Sequence, residues 1–286
     1  MIDIHAHTSS HALYGLHTDR ADLDYLRVQA QKYGISKIYL MATYFPLKKS
    51  GLANSTLLEA IKNDPLFGCF GSLDMENNFS TGMQELSTLA EAKLISGIKL
   101  YPGYQDIVLS DPIFSPLFEL AEEHKLPVAC HLGELHHCCP RKKDANSKYR
   151  CGENHCKLDF RGHLAKPYEL GLVAQKFPNV KFIACHLANP YFEDLRQVME
   201  LCDNVYTDIS GQFLSGTDED SPEYRSILKA EIEKFFLIKN AHERIMFGTD
   251  FPIQSYLDSI ELVEMLEIED ERKENIFYKN AKSLNL

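Results

Sequence analysis

The chain has little clustered positive charge and no long apolar run. Of its 286 residues, 30 are Lys or Arg and 41 are Asp or Glu, which gives a formal net charge of -11 at pH 7. Because nucleic-acid binding needs clustered basic residues, this balance argues against a nucleic-acid partner. No apolar run approaches the roughly 18 residues that cross a bilayer, and the first residues lack the basic and apolar regions of a signal peptide. We therefore expect a cytoplasmic protein without membrane attachment.

The first apolar run also lacks a glycine-rich turn after it, which argues against a dinucleotide-binding open sheet. Short apolar or β-branched runs recur, and segments with helical apolar spacing, such as LDYLRVQAQKYG and PLFELAEEHK, lie between them. The eight runs are IDIHAH (2–7), KIYLMA (37–42), FGCFGSLD (67–74), GIKLYP (97–102), PVACHLG (127–133), VKFIACHLA (180–188), NVYTDIS (204–210) and RIMFGTD (244–250). Eight strands that alternate with helices predict an α/β protein of one domain (1–286), a (β/α)8 TIM barrel; a doubly wound sheet is the alternative.

Polar residues recur near the C-terminal ends of these predicted strands, where barrel enzymes build their active sites. They are His7, Lys99, His131, His186, Asp208 and Asp250. His5 and His7 are two residues apart, so in a strand they project to the same face. Imidazole and carboxylate are the usual ligands of zinc and similar ions, so a metal site of histidines and Asp250 is predicted. The alternative for any one histidine is a hydrogen-bonded structural role.

These same residues carry a resemblance to a known family. HAH on strand 1, CHL on strands 5 and 6, and GTDFP on strand 8 resemble the amidohydrolase superfamily, in particular its branch that includes aminocarboxymuconate-semialdehyde decarboxylase. GIKLYPGYQ and the closing IFYKNAKSL extend the similarity over nearly the whole chain. The resemblance implies a metal-dependent (β/α)8 enzyme with ligands at His5, His7, His131, His186 and Asp250.

The resemblance also implies roles for these residues. In a one-metal site His5, His7, His131 and Asp250 would hold a divalent ion, with zinc expected, and His186 would ligate it or orient a water and polarise the substrate. Such an ion lowers the pKa of a bound water toward about 7. Asp250 would accept the proton of that water and pass it to the leaving group. The alternative for Asp250 is a cap of the following helix.

Lys99 leaves a second active-site metal open. Two-metal members of the superfamily carry a carboxylated strand-4 lysine that bridges two ions, and His131 and His186 would then serve the second ion. An unmodified Lys99 would pair with a substrate carboxylate. We favour one ion, because this branch mostly resembles one-metal enzymes. Asp208 is expected to hydrogen-bond a substrate or to support a ligand histidine, and Cys130 and Cys185 are expected to face the helices.

The loop after the fifth strand (134–166) is far longer than the usual two to six residues of such a connection. It contains half of the eight cysteines of the chain, namely Cys138, Cys139, Cys151 and Cys156. Without an export signal, cysteines are expected to remain thiols or to bind metal, so a structural metal in this insert is one prediction. Adjacent Cys138 and Cys139 fit no standard finger spacing, and the alternatives are thiols without a role, or a disulfide or redox role.

The sequence therefore predicts a metal-dependent hydrolase that uses a metal-activated water on a small carboxylated, lactone or amide substrate. A nonoxidative decarboxylase of an unsaturated or aromatic acid would use the same site and is the first alternative. A noncatalytic metal- or ligand-binding barrel is the alternative of another class, against which the candidate base Asp250 argues. The expected partner is a small-molecule substrate, and the resemblance suggests a homodimer.

Overall fold

The barrel is seen in a computed structural model that describes residues 1–9, 16–44, 52–136 and 156–286. Eight parallel strands form one sheet in chain order. They are β1 (Ile2–Ala6), β2 (Lys37–Met41), β3 (Phe67–Gly71), β4 (Gly97–Leu100), β5 (Val128–Cys130), β6 (Phe182–Ala184), β7 (Val205–Asp208) and β8 (Ile245–Met246). All eight predicted strands are confirmed, and the TIM barrel rather than the doubly wound sheet is the fold.

Helices alternate with the strands. They are α1 (Leu23–Tyr33), α2 (Asn54–Ala60), α3 (Phe79–Glu91), α4 (Ser115–His124), α5 (Pro167–Lys176), α6 (Phe192–Leu201), α7 (Pro222–Phe235), α8 (Tyr256–Glu264), α9 (Asp270–Glu274) and α10 (Asn280–Ser283). Local chemistry fixes their ends: the Asp22 side chain caps α1, and Gly34, with φ of 69°, ends it in the left-handed region that favours glycine. Within the described ranges no helix is long and apolar enough to cross a membrane.

The first and last strands meet at the C-terminal end of the barrel. The Ile4 amide donates to the Phe247 carbonyl at 3.1 Å, and the His7 amide donates to the Phe251 carbonyl at 2.8 Å. A parallel bridge also joins Ala6 to Phe251. These bonds place the residues that follow β8 beside the histidines of β1.

The buried carboxylate of Asp3 strengthens this junction. It accepts hydrogen bonds from the His5 amide at 3.0 Å, the Thr249 amide at 3.1 Å and the Thr249 hydroxyl at 2.8 Å. The His5 carbonyl in turn accepts from the amides of Thr249 and Asp250, at 3.2 and 2.8 Å. The position of Asp250 relative to His5 is therefore set by backbone contacts between the two ends of the barrel sheet.

Strand residues alternate between the barrel interior and the layer beneath the helices. In β4, Ile98 and Leu100 belong to the large core that includes the helix residues, whereas Lys99 between them faces the interior. A second cluster fills that interior and consists of Ile2, Ile4, Tyr39, Met41, Phe70, Ala129, Ile183, Cys185, Met246, Ala281, Leu284 and Leu286. The apolar interior supports the polar strand ends from below.

The prediction that Cys185 faces the helices is wrong, because Cys185 belongs to the interior cluster. Strand alternation itself holds through Cys185, since Phe182 and Ala184 belong to the outer core and Ile183 and Cys185 to the interior cluster, and the prediction failed because it took His186 as the inward residue of the strand. His186 and Leu187 then adopt left-handed backbone, with φ of 63° and 52°. Cys130, which lies within β5, keeps the alternation and packs beneath the helices as expected.

The described ends of the predicted insert 134–166 pack against the barrel. Cys156 is buried in a cluster with Tyr101, Tyr104 and Leu135, and the His136 amide donates to the Tyr104 hydroxyl at 2.9 Å. The remaining cysteines of the predicted structural metal site, Cys138, Cys139 and Cys151, lie outside the described residues. A structural metal in the insert stays a prediction.

We expect Asn204 to stabilise the barrel by joining the end of α5 to the start of β7. Its buried amide donates to the carbonyls of Ala174, Phe177 and Val180 at 3.1, 3.1 and 2.9 Å. Asn204→Ala removes this donor from buried acceptors and should lower the free energy of unfolding by about 2–3 kcal/mol, measured by denaturant titration. The control Asn179→Ala removes an exposed amide and should cost less than about 0.5 kcal/mol. Equal losses in the two variants would contradict the role of Asn204.

Candidate metal centre

A pocket of about 970 Å³ opens among the C-terminal ends of the strands. Six of the predicted site residues line it: His5, His7, Lys99, His131, His186 and Asp250. They come from five strands that are far apart in the sequence, and the barrel brings them together. Asp208 does not line the pocket but lies fully buried beneath it.

His5, His7 and Asp250 converge on one point of the pocket. Oδ1 of Asp250 lies 3.1 Å from Nε2 of His7 and 3.5 Å from Nε2 of His5. One ligand atom from each of the three residues lies within 4.8 Å of the others. Two imidazole nitrogens and a carboxylate oxygen are donors that zinc and similar divalent ions accept, so these residues fit a metal ion.

His131 and His186 extend this cluster. Nε2 of His186 lies 3.2 Å from Nδ1 of His131, and the rings of His186 and His5 are 4.7 Å apart between centroids. The Tyr104 ring packs on His131 with a centroid distance of 4.7 Å. Among the described residues, His131 belongs to neither group of three donors close enough to share an ion. Its role as a ligand stays a prediction.

Asp208 holds two of the histidines from below. Its Oδ2 accepts from Nδ1 of His5 at 3.0 Å, and its Oδ1 accepts from the His186 amide at 2.9 Å. The hydroxyl of Ser210 donates to Oδ1 of Asp208 and lies within 3.1 Å of Nδ1 of both histidines. A carboxylate hydrogen-bonded to Nδ1 fixes the ring orientation and leaves Nε2 free to bind a metal ion, which is the role expected of Asp208.

The buried histidines of the pocket are neutral. Burial, together with the nearby charge of Lys99, lowers the pKa of His5 to about 3. Burial also lowers the pKa of His186, and burial and the neighbouring His186 lower the pKa of His131 well below its usual value. A neutral imidazole offers the lone pair that metal ligation requires, so the electrostatics of the pocket suit a cation.

Asp250 is ionised within this cluster. Burial alone would raise its pKa, but the hydrogen bond from His7 and the neighbouring His186 and His5 hold the pKa well below its usual value. The alternative of a helix cap is wrong for this residue, because Ser255 caps α8. Asp250 is thus an ionised carboxylate at the pocket wall.

Lys99 is fully buried at the floor of the pocket. Its Nζ donates to Sγ of Cys185 at 2.9 Å and lies 3.4 Å from Nε2 of His5. The ring of Tyr101 lies beside it, with 5.2 Å between Nζ and the ring centroid. The bridging or substrate-binding role of Lys99 stays a prediction, and its contact with Cys185 was not foreseen.

Three supporting residues were missed from the sequence: Asp3, Ser210 and Thr249. Ser210 had a usable signal, since it lies two residues after Asp208 and so continues the same face past the end of β7. Asp3 and Thr249 had none, because their contact joins positions 246 residues apart.

We expect Asp208→Asn to lower the affinity for Zn²⁺ by about 10- to 100-fold, because the amide no longer orients Nδ1 of His5 as a carboxylate does. A competition titration with a chromophoric chelator on metal-free protein measures this affinity. The control Asp203→Asn changes an exposed carboxylate in the turn before β7 and should bind Zn²⁺ like the parent protein. An Asp208→Asn protein with the parent affinity would rule out the supporting role.

Solved structures that resemble this chain share its fold. A probable 2-pyrone-4,6-dicarboxylic acid hydrolase from Acinetobacter baumannii, with citric acid bound, is 15% identical with a TM-score of 0.66 over 99% of this chain and 98% of its own. The 5-carboxyvanillate decarboxylase of Sphingomonas paucimobilis is 14% identical, with a TM-score of 0.63 over 92% and 83%. A dihydroxybenzoic acid decarboxylase from a Polaromonas species, with bound manganese, is 16% identical, with a TM-score of 0.60 over 93% and 86%.

The sequence comparisons are more specific about the family. No curated protein sequence matches the chain significantly. The profile of a family described as amidohydrolase, by contrast, matches residues 2–284 and so spans the barrel from β1 to α10. The match includes every residue of the candidate metal centre. This chain therefore belongs to the amidohydrolase family, and it is an enzyme of that superfamily.

Proposed function

We propose that this enzyme is a metal-dependent hydrolase that uses an activated water on a small carboxylated, lactone or amide substrate. The observation that supports it best is the convergence of His5, His7 and Asp250 on one wall of the pocket. The volume of the pocket suits a small molecule. The fold shared with a probable 2-pyrone-4,6-dicarboxylic acid hydrolase agrees with this substrate class.

His5, His7 and Asp250 would hold the ion, with His131 beside it as a further ligand. A divalent ion bound there lowers the pKa of a water ligand toward about 7 and polarises a carbonyl oxygen. Zinc is the ion we propose, and manganese is the necessary comparison because it is bound in the Polaromonas decarboxylase.

The proton of the attacking water is assigned to Asp250. Its carboxylate is ionised, and Oδ1 lies within 3.5 Å of Nε2 of both His5 and His7. A carboxylate oxygen of Asp250 would accept the water proton and then donate it to the leaving oxygen or nitrogen, which completes hydrolysis without a second base.

His186 and Lys99 are assigned to positioning. The Nδ1 of His186 lies 3.1 Å from the Ser210 carbonyl, which directs Nε2 toward His131 and the pocket. Neutral His186 would there orient the water or the substrate carbonyl. Lys99 supplies positive charge at the floor of the pocket, which suits a substrate with a carboxylate at that end.

Asp250→Asn should reduce kcat by at least about 100-fold while the fold remains, because the amide cannot take up the water proton. Turnover is measured on a panel of lactones, amides and carboxylated esters, and circular dichroism and metal content are measured on the same samples. Asp203→Asn serves as the control, with kcat expected at the parent value. An Asp250→Asn protein with parent turnover would remove Asp250 from the mechanism.

Nonoxidative decarboxylation is the second candidate, because two similar structures are decarboxylases of aromatic acids. Reactions in water enriched in oxygen-18 separate the two reactions. We expect oxygen-18 in the acid product and no carbon dioxide. Release of carbon dioxide, with a solvent proton on the product carbon and no oxygen-18, would assign the protein as a decarboxylase.

A further inference from the structure

Within the described part of the chain, two groups of metal-binding atoms share His5. The first group, His5, His7 and Asp250, offers nitrogen and oxygen; the second, His5, Cys185 and His186, offers nitrogen and sulfur, and its three residues are buried. Nδ1 of His5 is engaged by Asp208 at 3.0 Å. Only Nε2 of His5 is left, and one nitrogen binds one ion, so His5 can serve one group or the other.

The two groups would select different ions and different chemistry. Sulfur is the softer donor and attracts zinc and other thiophilic ions more strongly than a carboxylate does. An ion bound through Cys185 would be held away from His7 and would leave Asp250 without an activated water beside it. Because both groups need Nε2 of His5, an ion in one group excludes an ion from the other.

The Lys99 amine lies against the two atoms through which Cys185 and His5 would hold an ion. Its Nζ lies 2.9 Å from Sγ of Cys185 and 3.4 Å from Nε2 of His5. Zinc binds sulfur at about 2.3 Å and nitrogen at about 2.0–2.1 Å, so an ion bound to both atoms would lie beside this amine. The amine also carries a positive charge in a buried position, where repulsion of a second cation is strong.

Neighbouring residues hold Lys99 in this place. It lies within β4, and its carbonyl accepts from the Ser72 hydroxyl at 2.8 Å. The Tyr101 ring lies 5.2 Å from Nζ, and the Tyr101 hydroxyl is fixed by a 2.8 Å hydrogen bond to the Ala42 carbonyl. These contacts fix the backbone of Lys99 and the ring of Tyr101, and the hydrogen bond to Sγ of Cys185 directs the amine.

We propose that Lys99 is a metal-selectivity residue, whose amine fills the cation position between His5 and Cys185 and so confines a divalent ion to His5, His7 and Asp250. This inference rests on the proposed metal-dependent function and deepens it by naming the residue that decides which donors the ion receives. In the parent protein Cys185 is then not a ligand of the metal.

Cobalt absorption tests this inference, because a thiolate ligand gives Co²⁺ an intense near-ultraviolet charge-transfer band and nitrogen and oxygen ligands do not. Spectra are recorded for Co²⁺ complexes of the parent protein, Lys99→Met and the Cys185→Ser variant of each. Each spectrum is read as the difference from its Cys185→Ser counterpart, which subtracts bands of other thiols. Methionine keeps an unbranched side chain and removes the charge.

We expect no band in the parent difference spectrum and a clear band in the Lys99→Met difference spectrum, which grows with added Co²⁺. A thiolate band in the parent difference spectrum would overturn the inference, because Cys185 would then ligate despite Lys99. No band in the Lys99→Met difference spectrum, in protein with parent circular dichroism, would overturn it as well. Lys99→Gln is measured in the same way if Lys99→Met does not fold.

The outcome also separates this inference from the proposed metal centre. The weak visible bands of Co²⁺ in the parent protein report binding by any of the donors. Their absence would contradict the metal centre of His5, His7 and Asp250. Their presence, together with the absence of a Cys185-dependent band in Lys99→Met, would overturn the role of Lys99 alone.

Discussion

The hydrogen bonds between β1 and the segment after β8 are the contacts on which the chemistry of this protein depends. His5 contributes an imidazole to the site, and its carbonyl accepts from the Asp250 amide. One residue thus supplies a ligand candidate and positions another. The Asp3 carboxylate stabilises the same junction by accepting hydrogen bonds from the amides of His5 and Thr249. The step that closes the barrel also assembles the candidate metal centre, so the site cannot form in a barrel that is open at this edge.

The charge distribution around the pocket follows from this closure. Burial drives three imidazoles to the neutral form, while histidine contacts keep the pKa of Asp208 and Asp250 below the usual value against the effect of burial. Two ionised carboxylates in a mostly buried cluster are unfavourable unless they are paired. Histidine hydrogen bonds offset part of this cost, and a bound divalent ion would offset more. The free energy of metal binding and the stability of the site are therefore expected to be coupled.

Much of this structure could be predicted from the sequence, because its signals are local. Apolar runs located all eight strands, and polar residues at their ends identified the pocket lining, since parallel strands end at the same edge of a barrel. The features that could not be predicted depend on contacts between residues that lie far apart in the sequence. The contact of Lys99 with Cys185 needs the register of β4, β5 and β6, which local sequence patterns do not encode. The face of Cys185 was predicted wrongly because His186 was taken as the inward residue of β6, whereas strand alternation holds through Cys185 and ends at the left-handed backbone of His186.

The backbone segments that follow β6 and β8 lower the stability of the protein. His186, Leu187, Ala188 and Asp250 all have positive φ, between 52° and 63°, although none is glycine. Such conformations cost on the order of 1–3 kcal/mol each. This conformational cost thus lies in the segments that hold the candidate metal centre, and the packing of the apolar strands and helices offsets it. Selection for thermostability alone would favour substitutions that remove the left-handed backbone at these positions. A heat-resistant variant obtained in that way would lose the geometry of the candidate metal centre.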